Sequence, residues 1–312
     1  MPAHAKVREC TVLELWLALW PLFALIVVGF ALRRLRFAGD EFWPTAERLN
    51  YFVLFPALLF SNLATAPLSN PALPRLALAV LLGLGIAWLA LLLCKRLRHW
   101  TAARFGAISQ GVLRFNTYLG LAAVGALYGK EGLTLAALML AMMVPAVNLL
   151  SVWALTAERG VSGGSLLLPI ARNPLILACA AGALVNLLGI GLPGGSDRLM
   201  SLLAVASLPL GLLCVGAALR PQQLAGEAPA LLYNCAIRLL LMPVLAYGVA
   251  RGLALPPLAS SVLILFFALP TAPTAYVLTR QLGGDSQLMA GIITLQTLLS
   301  AISLMLVLSL LA

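Results

Sequence analysis

Gln110-Gly111-Val112-Leu113-Arg114-Phe115-Asn116-Thr117-Tyr118-Leu119-Gly120 lies inside one long apolar run, and Leu269-Pro270-Thr271-Ala272-Pro273-Thr274-Ala275-Tyr276 lies inside another. A helix facing lipid should not carry the first stretch. Arg114 falls roughly nine residues past Phe105, which at about 1.5 Å per residue is ~14 Å deep, close to the middle of a hydrocarbon core about 30 Å thick. In the second stretch Pro270 and Pro273 each remove a backbone donor and free carbonyls of the preceding turn. Freed backbone groups at membrane depth need partners, and they are tolerated where they line a cavity or are buried in protein. The two stretches therefore predict two broken helices around a midplane site. Its candidate contacts are Arg114, Asn116, Thr117 and Tyr118 on one side and Pro270, Thr271, Pro273, Thr274 and Tyr276 on the other. Gln110, Gly120 and Arg238 are accessory candidates.

The rest of the chain agrees that lipid is the solvent. Of 312 residues, 62% are hydrophobic and 10% charged, and the mean hydropathy is +1.03; an ordinary soluble domain is about half apolar and a quarter charged. A soluble core of this length would still need a polar shell, which a bilayer makes unnecessary. The net charge of +10 would suit nucleic acid only on the basic face of a soluble domain, and no such domain can be found. Lys and Arg cluster instead in short connections between apolar spans, where they set orientation. Cys10, Cys94, Cys179, Cys214 and Cys235 are scattered without metal-ligand spacing and read as small packing residues. With His4 near the terminus and His99 in a basic loop, no metal or cofactor is expected. The first apolar run ends in Arg33, Arg34 and Arg36 rather than at a small-residue cleavage site, so it reads as a retained helix.

The apolar runs predict an all-α polytopic membrane protein with about ten transmembrane helices. They lie near 12–32, 44–66, 75–94, 105–127, 133–155, 170–190, 199–219, 230–250, 258–280 and 287–311. Connections after spans 1, 3, 5, 7 and 9 hold Arg33, Arg34, Arg36, Lys95, Arg96, Arg98, Arg104, Arg159, Arg220 and Arg280. The other side holds Lys6, Arg8, Arg75, Lys130, Arg198 and Arg251. The excess places the first set inside and both termini outside. One constant shift lays Asn116 on Pro270, Gly129 on Gly283 and Glu131 on Asp285, and brings Pro21, Pro56 and Pro74 within a residue or so of Pro174, Pro209 and Pro229. Residues 1–155 and 156–312 thus read as two five-helix repeats, and an odd number of helices per repeat inverts the second. Spans 4 and 9, the broken ones, occupy matching positions.

No Asp or Glu falls in the middle of any span: Glu14, Asp40, Glu41, Glu47, Glu131, Glu158, Asp197, Glu227 and Asp285 lie near ends or in connections, as does Glu9. A midplane carboxylate proton relay lacks its carrier. Arg114 also lacks an acidic partner in its own region, and an anionic substrate would complete its site. Arg238, the other deep cation, either snorkels toward the inner surface about 12 Å away or contacts a ligand. The pair Gly125 and Gly129 reads as helix packing.

These residues match a known pattern. The chain resembles the auxin efflux carrier family, in its bacterial branch, along nearly its whole length. The resemblance rests on Leu49-Asn50-Tyr51 through Phe55-Pro56-Ala57-Leu58-Leu59-Phe60, on Arg114-Phe115-Asn116-Thr117, on Arg172-Asn173-Pro174-Leu175-Ile176 and on Leu208-Pro209-Leu210 with Gly216. It continues through Arg238 with Pro243, Leu269 to Leu278, Gly283-Gly284-Asp285 and Thr297-Leu298-Leu299-Ser300. It implies a scaffold from spans 1, 2, 6 and 7, a transport domain from spans 3–5 and 8–10, and a substrate beside the point where spans 4 and 9 unwind and cross. It also implies a homodimer working by an elevator movement on carboxylates. The family often has proline shortly after the Asn of span 4; this chain has Gly120-Leu121-Ala122-Ala123, so the break rests on Asn116, Thr117 and Gly120, with Gly120 free to adopt an unusual backbone angle.

The leading expectation is a multi-pass carrier of a prokaryotic inner membrane that exports small organic anions, with Arg114 as charge partner. A cation-coupled symporter would instead hold Na⁺ or move H⁺, with freed carbonyls and the hydroxyls of spans 9 and 10 around the ion. A receptor or lipid-binding membrane protein without turnover would call for a large regulatory domain, which the chain lacks.

Overall fold

The computed structural model describes residues 12–39, 41–65, 73–156, 174–192, 194–224 and 227–311. Arg172, Asn173, Glu158, Arg159 and the N-terminal residues before Val12 lie outside them. The described residues are helical, with turns and short extended links and no strand. The helices are α1 Val12–Arg34, α2 Phe42–Leu49, α3 Phe55–Ala64, α4 Leu73–Arg98, α5 Ala102–Leu113, α6 Thr117–Thr156 and α7 Pro174–Leu187. They continue as α8 Ser196–Ala218, α9 Ala228–Ala236, α10 Met242–Gly252, α11 Pro257–Ala268, α12 Thr274–Gln281 and α13 Ser286–Leu311.

By length and composition, six helical stretches among the described residues could each cross a membrane. Exposed Leu17, Val27, Leu81, Leu89, Leu93, Leu240 and Val244 on α1, α4, the turn before α10 and α10 itself would be costly in water and are ordinary against lipid. One of the six, Ala102–Thr156, runs for 55 residues, more than a single crossing needs. It is not straight. The chain is extended between α5 and α6, and Gly129 inside α6 takes φ 57° and ψ −149°, a conformation open to glycine alone without strain.

Two other interruptions are π-helical turns. Asn50–Leu54 joins α2 to α3, and Ile237–Leu241 joins α9 to α10. In each case a proline, Pro56 or Pro243, stands second in the helix that follows. The Phe55 amide donates to the Asn50 carbonyl and the Met242 amide to the Ile237 carbonyl, so each proline is met by a widened turn. The chain continues through both without a stop.

The helices pack as two groups. In the first, α1 lies along α8, and α3 lies against α7 and α8. Close approach of α1 and α8 needs glycine: a side chain on Gly29 would run into the Leu213 carbonyl, and one on Gly216 into that of Ile26. A reciprocal pair ties α8 to the π-turn, since Asn50 Nδ2 donates to the Ser207 carbonyl (2.9 Å) and Ser207 Oγ to Asn50 Oδ1 (2.8 Å). In the second group α5 and α11 sit among α4, α6, α10 and α13. The Arg104–Glu227 ion pair, at 2.6 Å, joins the start of α5 to the start of α9. Contacts between the groups run mainly through α6, which touches α1, α3, α7 and α8.

Candidate substrate site

Both breaks end a helix by placing one residue in extended backbone. Arg114 takes φ −74° and ψ 151° after α5, and Leu269 takes φ −65° and ψ 145° after α11. Leu269 has a local cause, because the following Pro270 disfavours the helical conformation at the residue before it. After Arg114 there is no proline; the restart is set by Asn116, whose Oδ1 accepts the Leu119 amide at 3.1 Å and caps the first turn of α6. The two breaks touch directly, the Asn116 amide donating to the Pro270 carbonyl at 2.7 Å.

Backbone carbonyls released at the breaks are taken by buried side chains. Gly111's carbonyl accepts Thr271 Oγ1 (2.8 Å) and Gln296 Nε2 (2.9 Å). Gln296 also receives the Thr271 amide at 2.8 Å and donates to Asn234 Oδ1 at 2.8 Å. Asn234 donates in turn to the Ile108 carbonyl at 3.0 Å. Arg238 completes the set. Its Nε donates to Leu269 (2.6 Å), Nη1 to Val112 (2.8 Å) and Nη2 to Phe266 (2.9 Å), all to carbonyl oxygens. With 1% of its surface exposed, this guanidinium neither snorkels nor faces a cavity. It joins the C-terminal ends of α5 and α11, the poles where a helix presents partial negative charge.

The opposite poles face open space. A chamber of about 60 Å³ is lined by Arg114, Asn116, Thr117, Tyr118, Asn148 and Thr274, closed by Phe55, Phe115, Val144, Val147 and Leu175. It shares Tyr51, Arg114, Asn148 and Thr274 with a vestibule of about 550 Å³ that extends past Phe52, Val152, Val277 and Leu278 to Pro44, Glu47, Arg48 and Gln281. Arg114 is half-buried where the two meet. Its Nη1 lies 3.4 Å from Gln110 Oε1, and Gln110 is held by its own bond to Thr279 Oγ1 at 2.7 Å. Asn116 is fully buried, and its Nδ2 has no hydrogen-bond partner. Because Oδ1 is committed to the Leu119 amide, the free atom must be the donor. A cation, an unpaired amide donor and the start of α6 converge on one small volume.

Residues 156–308 match the family model described as Membrane transport protein. The second half of the chain is thus similar to a family of membrane transporters. It is 26% identical over 288 residues to a protein of Methanothermobacter thermautotrophicus named "Uncharacterized transporter", covering 90% of this chain and 93% of that protein. It is 28% identical over 298 residues to a protein of Rhizobium meliloti named "Putative malonate transporter", covering 90% of each.

Around the chamber the residues singled out from sequence divide. Arg114, Asn116, Thr117, Tyr118, Pro273 and Thr274 line the chamber. Pro270 and Thr271 are turned to the packed side of the break. Tyr276 lines a neighbouring cleft of about 190 Å³, with the Arg220 guanidinium 5.2 Å from its ring centre. Gln110 stands behind Arg114, and Arg238 behind both breaks. Gly120 does not bend the chain, contrary to expectation, and lies in regular helix; it is small because a Cβ there would sit 2.6 Å from Leu269 Cδ1. Sequence reasoning does not pick Tyr51, Phe55 and Asn148 as site residues, nor Gln296 and Asn234 as supports. Asn148, Asn234 and Gln296 are amides inside apolar runs, and that is the available signal.

Proposed function

We propose that this transporter carries small organic anions, with the anion held at Arg114. The observation that carries this reading is the donor set of the chamber: the Arg114 guanidinium, the free Asn116 Nδ2 and the N-terminal end of α6, with no carboxylate among the described residues lining the chamber. Such a set favours negative charge, through charge-assisted hydrogen bonds and the helix pole together. The malonate named for the Rhizobium meliloti relative is a small organic anion and agrees with it.

Ten crossings in two inverted repeats, with α5–α6 and α11–α12 as the broken members, form the architecture we propose around this site. The packing supports a division into a scaffold containing α1–α3, α7 and α8 and a transport domain containing the remaining helices. The chamber lies where Phe55 and Leu175 of the first group meet Arg114 and Thr274 of the second. Movement of one group along the other would carry the site across the membrane. The vestibule ends beside Pro44, Arg48 and Gln281, at the helix ends next to the Arg33–Arg36 connection, so the positive-inside assignment makes this an inward-open arrangement.

Sodium coupling at the breaks has less to draw on. A cation held there would need released carbonyls, and those of Gly111, Val112, Phe266, Leu269 and Pro270 each already accept a donor.

The test is charge movement in proteoliposomes presented with small mono- and dicarboxylates, comparing wild type with Arg114→Ala at several Na⁺ concentrations. A saturable current, lost in the variant and indifferent to Na⁺, is the expected result. Correctly folded protein that passes no current with any acid overturns the organic-anion reading.

A further inference from the structure

We infer that the transport domain carries two permanent positive charges through the membrane when empty, that its substrate is a dianion which cancels both, and that voltage therefore acts on the return of the empty carrier. This rests on the organic-anion reading and on the division into scaffold and transport domain.

The charges are Arg114 and Arg238. Every other described charged residue of the proposed transport domain stands at a helix end or in a connection: Arg75, Lys95, Arg96, Arg98 and Arg104, Lys130 and Glu131, Glu227, Arg251, Arg280 and Asp285. Those positions stay near water at either extreme of the movement. Arg114 and Arg238 lie at the crossing itself and must travel with it. Neither meets a carboxylate. Arg238 is neutralised in hydrogen bonding by three carbonyls but not in charge, and Arg114 meets the neutral Gln110 amide. Guanidinium groups do not lose their proton in proteins, so deprotonation offers no release. The carboxylate of the vestibule, Glu47, belongs to α2 in the proposed scaffold and does not move with the pair.

An empty domain then crosses as +2, one loaded with a monoanion as +1, and one loaded with a dianion as neutral. Each elementary charge taken through the whole field changes an equilibrium by about 50-fold per 100 mV. In a cell negative inside, outward movement of the monoanion complex is opposed, the dianion complex is indifferent, and inward return of the empty domain is driven. The membrane potential powers export of a dianion without slowing its loaded step. The position of Arg238 behind its carbonyl cage means that the second negative charge acts through space; direct contact is made by Arg114, Asn116 and the α6 end.

The experiment is voltage-step recording from giant proteoliposomes containing the full chain, paired with radiolabelled flux, using acetate as the monoanion and succinate as the dianion. Without acid, voltage steps should move a transient charge; saturating succinate should abolish it, and acetate or Arg114→Gln should leave about half. Normal acid flux with no transient charge in the empty protein, or with a transient that acetate and succinate reduce equally, overturns the inference while the anion-carrier reading stands. Absence of flux with any acid overturns that reading and this one together. The two wild-type comparisons decide the matter even where Arg114→Gln fails to fold.

Discussion

The first break of the crossing and the second reach the same backbone outcome by different chemistry. Residues 114–116 stop a helix with no proline at all: Arg114 turns its side chain to the chamber, and Asn116 restarts the chain by capping. Residues 269–273 stop one with two prolines, and their polar groups turn inward, where Gln296, Gly111 and Arg238 take them up. In the proposed site one break supplies donors to a ligand; the other supplies a frame. A break made from side chains can present them, whereas a break made from rings has little to present. The difference also separates the two arginines, since Arg114 keeps capacity for a partner and Arg238 has all three of its side-chain nitrogens bonded to protein carbonyls.

The largest effect should come from the frame. Replacing Arg238 with Met would leave the Val112, Phe266 and Leu269 carbonyls without their donor in a dry interior, and would remove one of the links between the two breaks. Each buried carbonyl left without a donor costs about 1–3 kcal/mol. Thermal unfolding in detergent and size-exclusion profiles should show a large loss of stability or outright misfolding, with Arg238→Lys recovering part. A stable Arg238→Met variant would mean that the breaks hold themselves apart without it.

The second effect belongs to the donor side and should fall on transport. Asn116→Asp keeps an oxygen for the Leu119 amide, so α6 can still start, but it exchanges the free Nδ2 donor for a carboxylate oxygen facing the chamber. Loss of a charge-assisted hydrogen bond is worth roughly 1.5–3 kcal/mol, and the added like charge acts in the same direction. Acid transport by the folded variant should weaken by at least about tenfold. An Asp variant that transports as well as wild type would remove Asn116 from the binding side.

Those two residues also show what is legible in the sequence. The position of each break can be read from polarity and proline content, because a cation and several hydrogen-bonding groups at mid-membrane depth are too costly for an unbroken helix facing lipid. Helix ends fall mostly within about four residues of their sequence-read bounds, since apolar runs and Arg-rich ends mark them directly. The partners of Arg238 cannot be read. A guanidinium on one helix gives no sign that its acceptors are carbonyls some 30 and 126 residues away, and snorkelling has the same sequence signature. Gly120 misleads for a related reason: a glycine near a break invites a backbone role, while what a Cβ there would meet is the Leu269 side chain from the end of α11. Pairings between distant helices carry no local signal.

The smallest effect sharpens the division most. Thr271 reads from sequence as a ligand contact, yet its Oγ1 donates to the Gly111 carbonyl and its amide to Gln296. Thr271→Val keeps the branched shape and removes one donor. Gly111 retains the Gln296 Nε2 bond, so no buried acceptor is orphaned. The cost should be about 1 kcal/mol, the net value of an ordinary intramolecular hydrogen bond. Substrate affinity and turnover should stay within about twofold of wild type, because the lost hydroxyl points away from the chamber. Flux assays on the purified variant, set beside its unfolding curve, separate the alternatives. A collapse of transport in protein that unfolds normally would mean that the hydroxyl swings toward the ligand during the cycle, and the second break would then be a donor surface as well as a frame.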